Sequence, residues 1–394
     1  MKPLLSIIIP TKDRYDYLKP LISLIQSFDS EDIELVIQDN TKVNTEILNF
    51  ISDCAFENLK YFHTLEQLSV ARNCDLAILN STGEYICFIG DDDGVSAHIV
   101  SAVKWMDREK IDALKTTTLS YKWPSFNFSR LADFSATIMM GFYDKKHKKI
   151  NAIEELKKSL TNGGNGIALL PKVYHSIAKR STLDKIYDIG ETYFPGPSPD
   201  MANSVAMSFV VNNFVYLNFP VIIPGNSVRA GGDAQKYKGQ CAQISEIVFL
   251  PKNTEKNWEL FIPKVWSSES IMPESACKSL KYMGKSDYID KYLNIEKMLA
   301  YFIVGHMNLK NLAIEKSSNK FLLFYYFMGF MTSKVLRAVY SKILFNLFEI
   351  TYSGVSYSGS IFNNKNYFKI IKNIESISEA NDYILSREKD FTIK

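Results

Sequence analysis

The first 95 residues alternate between apolar runs of strand length and stretches of helical periodicity, and this alternation constrains the fold more than any other feature. Leu4 to Pro10 (LLSIIIP), Ile33 to Asp39 (IELVIQD), Leu59 to His63 (LKYFH) and Glu84 to Ile89 (EYICFI) read as strands. Helical patterns lie between them around Leu18 to Ser27 and Thr45 to Ser52, and a third opens at a candidate cap, Ser69, and stops at Gly83. Strands joined by helical crossovers form a doubly wound, mainly parallel sheet. The polar clusters Pro10 to Arg14, Gln38 to Asn40 and Gly90 to Asp93 each follow a strand directly, so they converge on the edge where open α/β sheets bind ligands. Neither G-x-G-x-x-G nor G-x-x-x-x-G-K-[ST] follows the first strand, which supports neither a dinucleotide fold nor a P-loop.

Three consecutive carboxylates, Asp91, Asp92 and Asp93, stand at the exit of the fourth strand. A strand that apolar is expected to be buried on both faces, delivering the aspartates to the sheet rim. Hard oxygen ligands suit Mg²⁺ or Mn²⁺, held by one or two carboxylates with water and substrate phosphate completing the shell. The plainer alternative is an acidic turn capping a helix that begins near Ser96.

The stretches Ser6 to Leu18 (SIIIPTKDRYDYL), Glu34 to Asn40 (ELVIQDN) and Ser69 to Asp93 (SVARNCDLAILNSTGEYICFIGDDD) resemble the ordered motifs of family 2 glycosyltransferases of the GT-A fold. The match is close over roughly the first 100 residues and looser to about residue 235. The resemblance implies that Pro10, Thr11, Arg14 and Asp39 cradle the base and ribose of a nucleotide-sugar. Asp39 would accept from a base N–H and Arg14 would contact a phosphate, a solvated first-turn charge being the alternative for Arg14. Arg72 matches a position near the donor diphosphate, with a helix-surface ion pair as its alternative. Gly90 replaces the first Asp of the usual D-x-D motif. Asp91 then takes the ribose-facing position and Asp92 the principal metal position, with Asp93 as an alternative second ligand.

Inverting transfer, which the resemblance implies, needs a carboxylate to take the proton of the attacking hydroxyl, help worth about 10²–10⁴ in rate. Asp200 is the candidate. Pro195, Pro197 and Pro199 exclude a regular helix before it, and the sequence after it reads as a helix, so Asp200 stands at a helix N-terminus as either the base or a plain cap. Asp188 and Glu191 are the next candidates. Asn162 to His175 is a glycine-rich loop placed where relatives build an acceptor pocket. Pro224 to Gly239 has the composition of a mobile loop, with Arg229 and Lys236 available to close over a diphosphate.

A net charge of +3 gives no argument for nucleic acid, and five scattered cysteines support neither disulfides nor a zinc site. The short apolar run after Met1 is unlike a signal peptide, so the expected location is cytoplasmic. A catalytic unit is expected over residues 1–239 and a mostly helical region over 240–394. Within the latter, residues 316–348 hold five Lys/Arg and no Asp or Glu. Their aromatic helix, Lys320 to Phe348, has an apolar run too short to span a bilayer. It is expected either to lie on the inner face of the cell membrane or to pack in the protein or a homo-oligomer.

The resulting reading is a metal-dependent glycosyltransferase that moves a sugar from a nucleotide diphosphate donor to a hydroxyl of a lipid-linked surface polysaccharide such as O-antigen or capsule. A sugar-nucleotide pyrophosphorylase is disfavoured because Pro10 to Arg14 is not a glycine-rich phosphate loop. A non-catalytic carbohydrate-binding subunit on a degenerate transferase fold is kept open by Gly90.

Overall fold

The computed structural model describes residues 2–394 except 118, 127–133, 168, 229–240, 252, 349, 353–366, 389, 390, 392 and 394. Arg229 and Lys236 lie outside the described residues. The expected alternation is present: β1 Leu5–Thr11, α1 Tyr15–Gln26, β2 Ile33–Asp39, α2 Thr45–Ser52, β3 Leu59–His63, α3 Val70–Leu79 and β4 Tyr85–Phe88. These four strands pair in parallel in the order β3-β2-β1-β4. The register sets Thr11 beside Asp39 and Asp39 beside His63, which brings the strand exits to one edge.

Ile7, Ile8, Ile9, Leu35, Val36 and Ile37 are all fully buried, as β-branched and aliphatic runs covered on both faces require. Successive side chains alternate between layers. Ile7, Ile9, Leu35 and Ile37 enter a core shared with α1, whereas Ile8, Val36, Ile86 and Phe88 face a second core with α3.

The chain continues through β5 Gly94–Val95, α4 His98–Arg108, β6 Ala113–Thr116, β7 Leu119–Lys122, β8 Thr137–Gly141, β9 His147–Lys149, α5 Ala152–Thr161, β10 Ile177–Lys179, α6 Arg180–Gly190, α7 Pro199–Val210, β11 Phe214–Leu217, β12 Ile222–Ile223 and β13 Gly225–Asn226. The main sheet extends as β4-β10-β6-β11-β9, with β10 antiparallel to both β4 and β6. Helices α8 Ser268–Tyr282, α9 Asp287–Tyr292, α10 Ile295–Gly305, α11 Lys310–Ile314 and α12 Lys320–Phe348 follow. Residues of α5, α7, α8, α10 and α12 build a separate apolar core.

The end of the chain does not stay with these helices. Of β14 Ile350–Tyr352, β15 Tyr367–Lys372 and α13 Ile377–Arg387, β15 pairs with β8, and Ile377, Ala380 and Ile384 join the core under β1. Strand β15 and helix α13 therefore pack with the N-terminal unit.

The third helix also ends earlier than expected, at Leu79 and not at Gly83. Gly83 serves a close approach: a Cβ there would lie 2.5 Å from Ser6 Oγ and 2.6 Å from Ser6 N. Its N–H joins a buried network around Glu34, which accepts from Ser6 Oγ, Thr82 N, Thr82 Oγ1 and Gly83 N and pairs with Lys60. Burial would raise the Glu34 carboxyl, but Lys60, Ser6 and Thr82 together hold it down to about 2. A folded-state value below the unfolded one contributes stability above the ordinary carboxylate range, and that contribution is lost as pH falls towards the folded value. Glu34→Gln is therefore expected to destabilise the protein by on the order of 2 kcal/mol at neutral pH, allowing for the partial exposure of Lys60. The gap from the parent, read by urea melts, should shrink as pH falls from about 5 towards about 2.5.

Candidate functional site

Tight turns after β1 and β4 face each other across the carboxyl edge of the sheet. Thr11, the last residue of β1, donates from Oγ1 to Asp91 Oδ2 at 2.7 Å. Arg14, just before α1, pairs with Asp91 Oδ1 at 3.0 Å and Asp92 Oδ2 at 2.7 Å, and donates to Ser227 Oγ at 2.8 Å. It also lies over the Tyr17 ring, which removes the solvated-charge alternative. Pro10 precedes Thr11 at this edge, half-buried.

The three aspartates differ in what surrounds them. Asp93 is fully engaged: Oδ2 accepts from Gly90 N at 2.6 Å, Tyr174 Oη at 3.1 Å and His175 Nε2 at 2.6 Å, and Oδ1 accepts from Gly225 N at 2.7 Å. Asp92 Oδ2 accepts from Ser227 Oγ at 2.6 Å besides pairing with Arg14, while its backbone carbonyl accepts from Trp123 Nε1. Among the described residues the other Asp92 oxygen, Oδ1, accepts no hydrogen bond. This geometry speaks for Asp92 over Asp93 as a ligand-facing group.

Burial raises the Asp91 carboxyl to about 7, against the pull of Arg14 and with added repulsion from Asp92. Burial and the charge of Asp93 raise Asp92 as well, with Arg14 and Ser227 opposing. Burial would raise Asp93 too, but the His175 imidazole and the Gly225 and Gly90 N–H groups hold it below its usual value. Negative charge thus exceeds positive charge at Asp91 and Asp92. A divalent cation fits that imbalance and the free Asp92 Oδ1, with water and substrate phosphate as the remaining ligands. Among the described residues no three carboxylate, imidazole or thiolate groups converge to enclose an ion without such help.

Gly225 is required here. A Cβ on it would lie 1.6 Å from the Asp92 carbonyl oxygen, so only glycine lets this strand pass. The start of the segment expected to be mobile is in fact anchored, β13 on β7 and Ser227 on Asp92.

Asp39 is buried and already satisfied. Tyr15 Oη donates at 2.6 Å and Tyr61 Oη at 2.7 Å to Oδ2, and Thr41 N donates at 2.8 Å to Oδ1. Asn40 shapes the neighbouring loop, donating to the carbonyls of Thr64 and Glu66 and accepting from Leu68 N. Ser69 caps α3 as expected, its Oγ accepting from Arg72 N at 3.2 Å. The Arg72 side chain is exposed, and its charge opposes the rise of the Asp75 carboxyl to about 6 that burial causes. Asp75 in turn holds Thr192 Oγ1 and Tyr193 N, positioning the loop that leads into α7.

Pro199 opens α7 and Asp200 follows in its first turn, with Ser198 as an N-cap that makes no side-chain cap bond. The Asp200 carboxylate has no hydrogen bond or ion pair among the described residues, and its charge is felt by Tyr174, Lys115 and Cys74. It therefore shares a neighbour, Tyr174, with Asp93. Asp188 and Glu191 sit exposed at the end of α6, Glu191 as its left-handed cap, and neither shares a partner with the aspartates. Tyr174, His175 and Ser227 were not foreseen individually. The sequence signal was Asn162 to His175 as a site segment, whose end does reach β4, His175 N donating to Phe88 O.

Residues 6–176 match the family model described as Glycosyl transferase family 2. A search of curated proteins finds no match. Similar solved structures include S. aureus TarS 1–349 in complex with UDP-GlcNAc, at 15% identity over 83% of this chain and 89% of that one, with a TM-score of 0.45. The same protein with UDP gives 14% identity over the same shares and a TM-score of 0.42. The mannosyltransferase PcManGT from Pyrobaculum calidifontis, in complex with GDP-Man and Mn2+, gives 12% identity over 89% and 88%, with a TM-score of 0.39.

Proposed function

We propose, from the match of residues 6–176 to the model described as Glycosyl transferase family 2, that the chain transfers a sugar, with inversion, from a nucleotide diphosphate sugar to a hydroxyl of a surface polysaccharide. The observation that carries this reading is the Asp200 carboxylate, unpartnered among the described residues, whose charge acts on the same tyrosine, Tyr174, as the charges of Asp93 and Asp92. Asp200 takes the proton of the attacking acceptor hydroxyl. Arg14 stands where a phosphate would displace it from the aspartates, a planar fork suited to that exchange. Pro10, Thr11 and Asp39 shape the floor on which base and ribose rest, Asp39 through the two tyrosines it orients. Arg72 and Arg229 are proposed to reach the diphosphate from the α3 side and from the segment after β13.

Mn²⁺ or Mg²⁺ would be held through Asp92; bound there, it would neutralise charge on the departing diphosphate. Screening UDP-, GDP- and dTDP-sugars for thermal stabilisation with Mn²⁺ tests the reading, since a ligand of the folded state raises its stability by mass action. One donor class is expected to raise the melting temperature in a metal-dependent way and to be turned over. No response from any donor, with or without metal, would overturn it.

The acceptor is proposed to be lipid-linked and the protein to work from the cytoplasmic side, peripherally bound. No helix among the described residues is long and apolar enough to cross a membrane. Helix α12 nevertheless exposes Phe321 (82%), Phe324 (59%) and Tyr325 (65%), along a stretch with basic and no acidic residues. An anionic lipid surface matches both properties, each basic residue adding about 1 kcal/mol of salt-sensitive attraction. The protein is expected to sediment with vesicles containing phosphatidylglycerol at low salt and to leave them when Phe321 and Phe324 become Ser and Lys334 becomes Glu. Failure of the parent to bind such vesicles would discard this part.

A further inference from the structure

Two lysines, Lys115 and Lys172, lie in the neighbourhood of Asp200 with no ion pair among the described residues. Strand β10 is antiparallel to both β4 and β6, and Ile177 faces Cys87 on one side and Leu114 on the other. Lys115 is therefore level with Phe88, two residues short of Gly90, at the same carboxyl edge as the aspartates. Lys172 is 7% exposed and held next to α7, because the following N–H, of Val173, donates to Asn203 Oδ1 at 2.9 Å. Its ammonium lies 5.5 Å from the centre of the Tyr174 ring, whose hydroxyl binds Asp93.

Among the described residues neither ammonium has a hydrogen bond or a carboxylate within ion-pair distance. Lys172 is buried and Lys115 half-buried; holding such groups unpaired away from water is costly, and a fold that only needed to fill this space would do better with Met. Burial pushes the Lys115 ammonium down to about 7, Lys172 adds repulsion, and Asp200 pulls the other way. Its neighbours are thus another cation and the proposed base. Arg14, by contrast, answers to Asp91, Asp92 and Asp93. The edge carries two separate centres of positive charge, one at the aspartates and one at Asp200.

We propose that Lys115 and Lys172 form an anion subsite for the acceptor, so that the glycan receiving the sugar carries a phosphate or carboxylate next to its reacting hydroxyl. The assignment to the acceptor rests on the transferase reading above. Two ammonium groups in a partly desolvated site bind one anion more strongly than they would on the surface, and the anion relieves their mutual repulsion. The same contact fixes the hydroxyl beside Asp200, where positioning contributes to rate.

Calorimetry on the full chain tests this with inorganic phosphate and glucuronate as anionic probes, methyl glucoside as the neutral control and UDP and GDP as donor-side probes. The parent should bind phosphate or glucuronate at least tenfold more tightly than methyl glucoside. Lys115→Met and Lys172→Met should each weaken that binding about tenfold or more, leave nucleotide diphosphate affinity within about threefold, and not lower the melting temperature. Lys115→Gln and Lys172→Gln repeat the test should a Met variant fail to fold.

Equal binding of the neutral and anionic probes overturns the subsite. Loss of UDP or GDP binding in the lysine variants overturns the acceptor assignment, because the anion would then be the donor diphosphate. The two readings fail separately. Lysine-dependent anion binding without any nucleotide-sugar turnover leaves the subsite and removes the transferase reading, whereas turnover with anion binding indifferent to both lysines does the reverse.

Discussion

Asp200→Asn is expected to lower kcat by about 10²–10⁴ while leaving donor affinity within about threefold. The amide keeps the shape of the carboxylate but cannot accept the hydroxyl proton in the transition state. The fold should not change, because the carboxylate has no hydrogen bond or ion pair to lose among the described residues, although Lys115 gives up the charge that opposes the fall of its ammonium. The helix it opens keeps Pro199 at its start, and Ser204 Oγ still donates to the Asp200 backbone carbonyl. The melting temperature should therefore stay close to that of the parent. Steady-state kinetics on a saturating acceptor decides the matter: a variant with unchanged kcat and weakened donor binding would place Asp200 on the donor side or reduce it to a structural cap.

The parallel strands were legible because each is an apolar run of β-branched residues bounded by polar clusters, so local pattern and final burial agree. Asp91, Asp92 and Asp93 were legible as a rim feature for the same reason, since the exit of a doubly buried strand has only one place to go. The partners of those aspartates were not legible. Asp93 is held by Tyr174, His175 and Gly225, which lie far along the chain in segments whose local pattern is a turn or a loop. Asp39 looked like a free acceptor in the sequence, yet Tyr15 and Tyr61, each part of an ordinary amphipathic element, close on it from two sides. Strand β10 is three residues long and β15 lies past a long helical region; neither carries a periodicity that announces its partner, and only tertiary pairing defines them. Lys115 is a single charge in a four-residue strand, which on pattern alone belongs to a solvated face.

Asp92 and Asp93 are adjacent carboxylates and both buried, yet their loss should have opposite consequences. Asp92→Ala removes a carboxylate that burial and its neighbour already disfavour in the charged form, and Arg14 keeps Asp91 and Ser227 as partners, so its folding cost should be below that of Asp93→Ala. The Trp123 hydrogen bond goes to the backbone and survives. What disappears is the free Oδ1 and one of the two carboxylate partners of Arg14, and with them Mn²⁺-dependent donor affinity and transfer, an expected loss of about 10²-fold or more in kcat/KM. Asp93→Ala instead strands Gly90 N, Gly225 N, Tyr174 Oη and His175 Nε2 in a buried space, which should cost on the order of 3 kcal/mol of stability. Melting curves and Mn²⁺ titrations of donor binding on both variants separate the two roles. A stable Asp93→Ala that loses metal-dependent binding, alongside an Asp92→Ala that retains it, would move the ligand-facing role from Asp92 to Asp93, and the hydrogen-bond pattern that distinguishes them would then have to rearrange when donor binds.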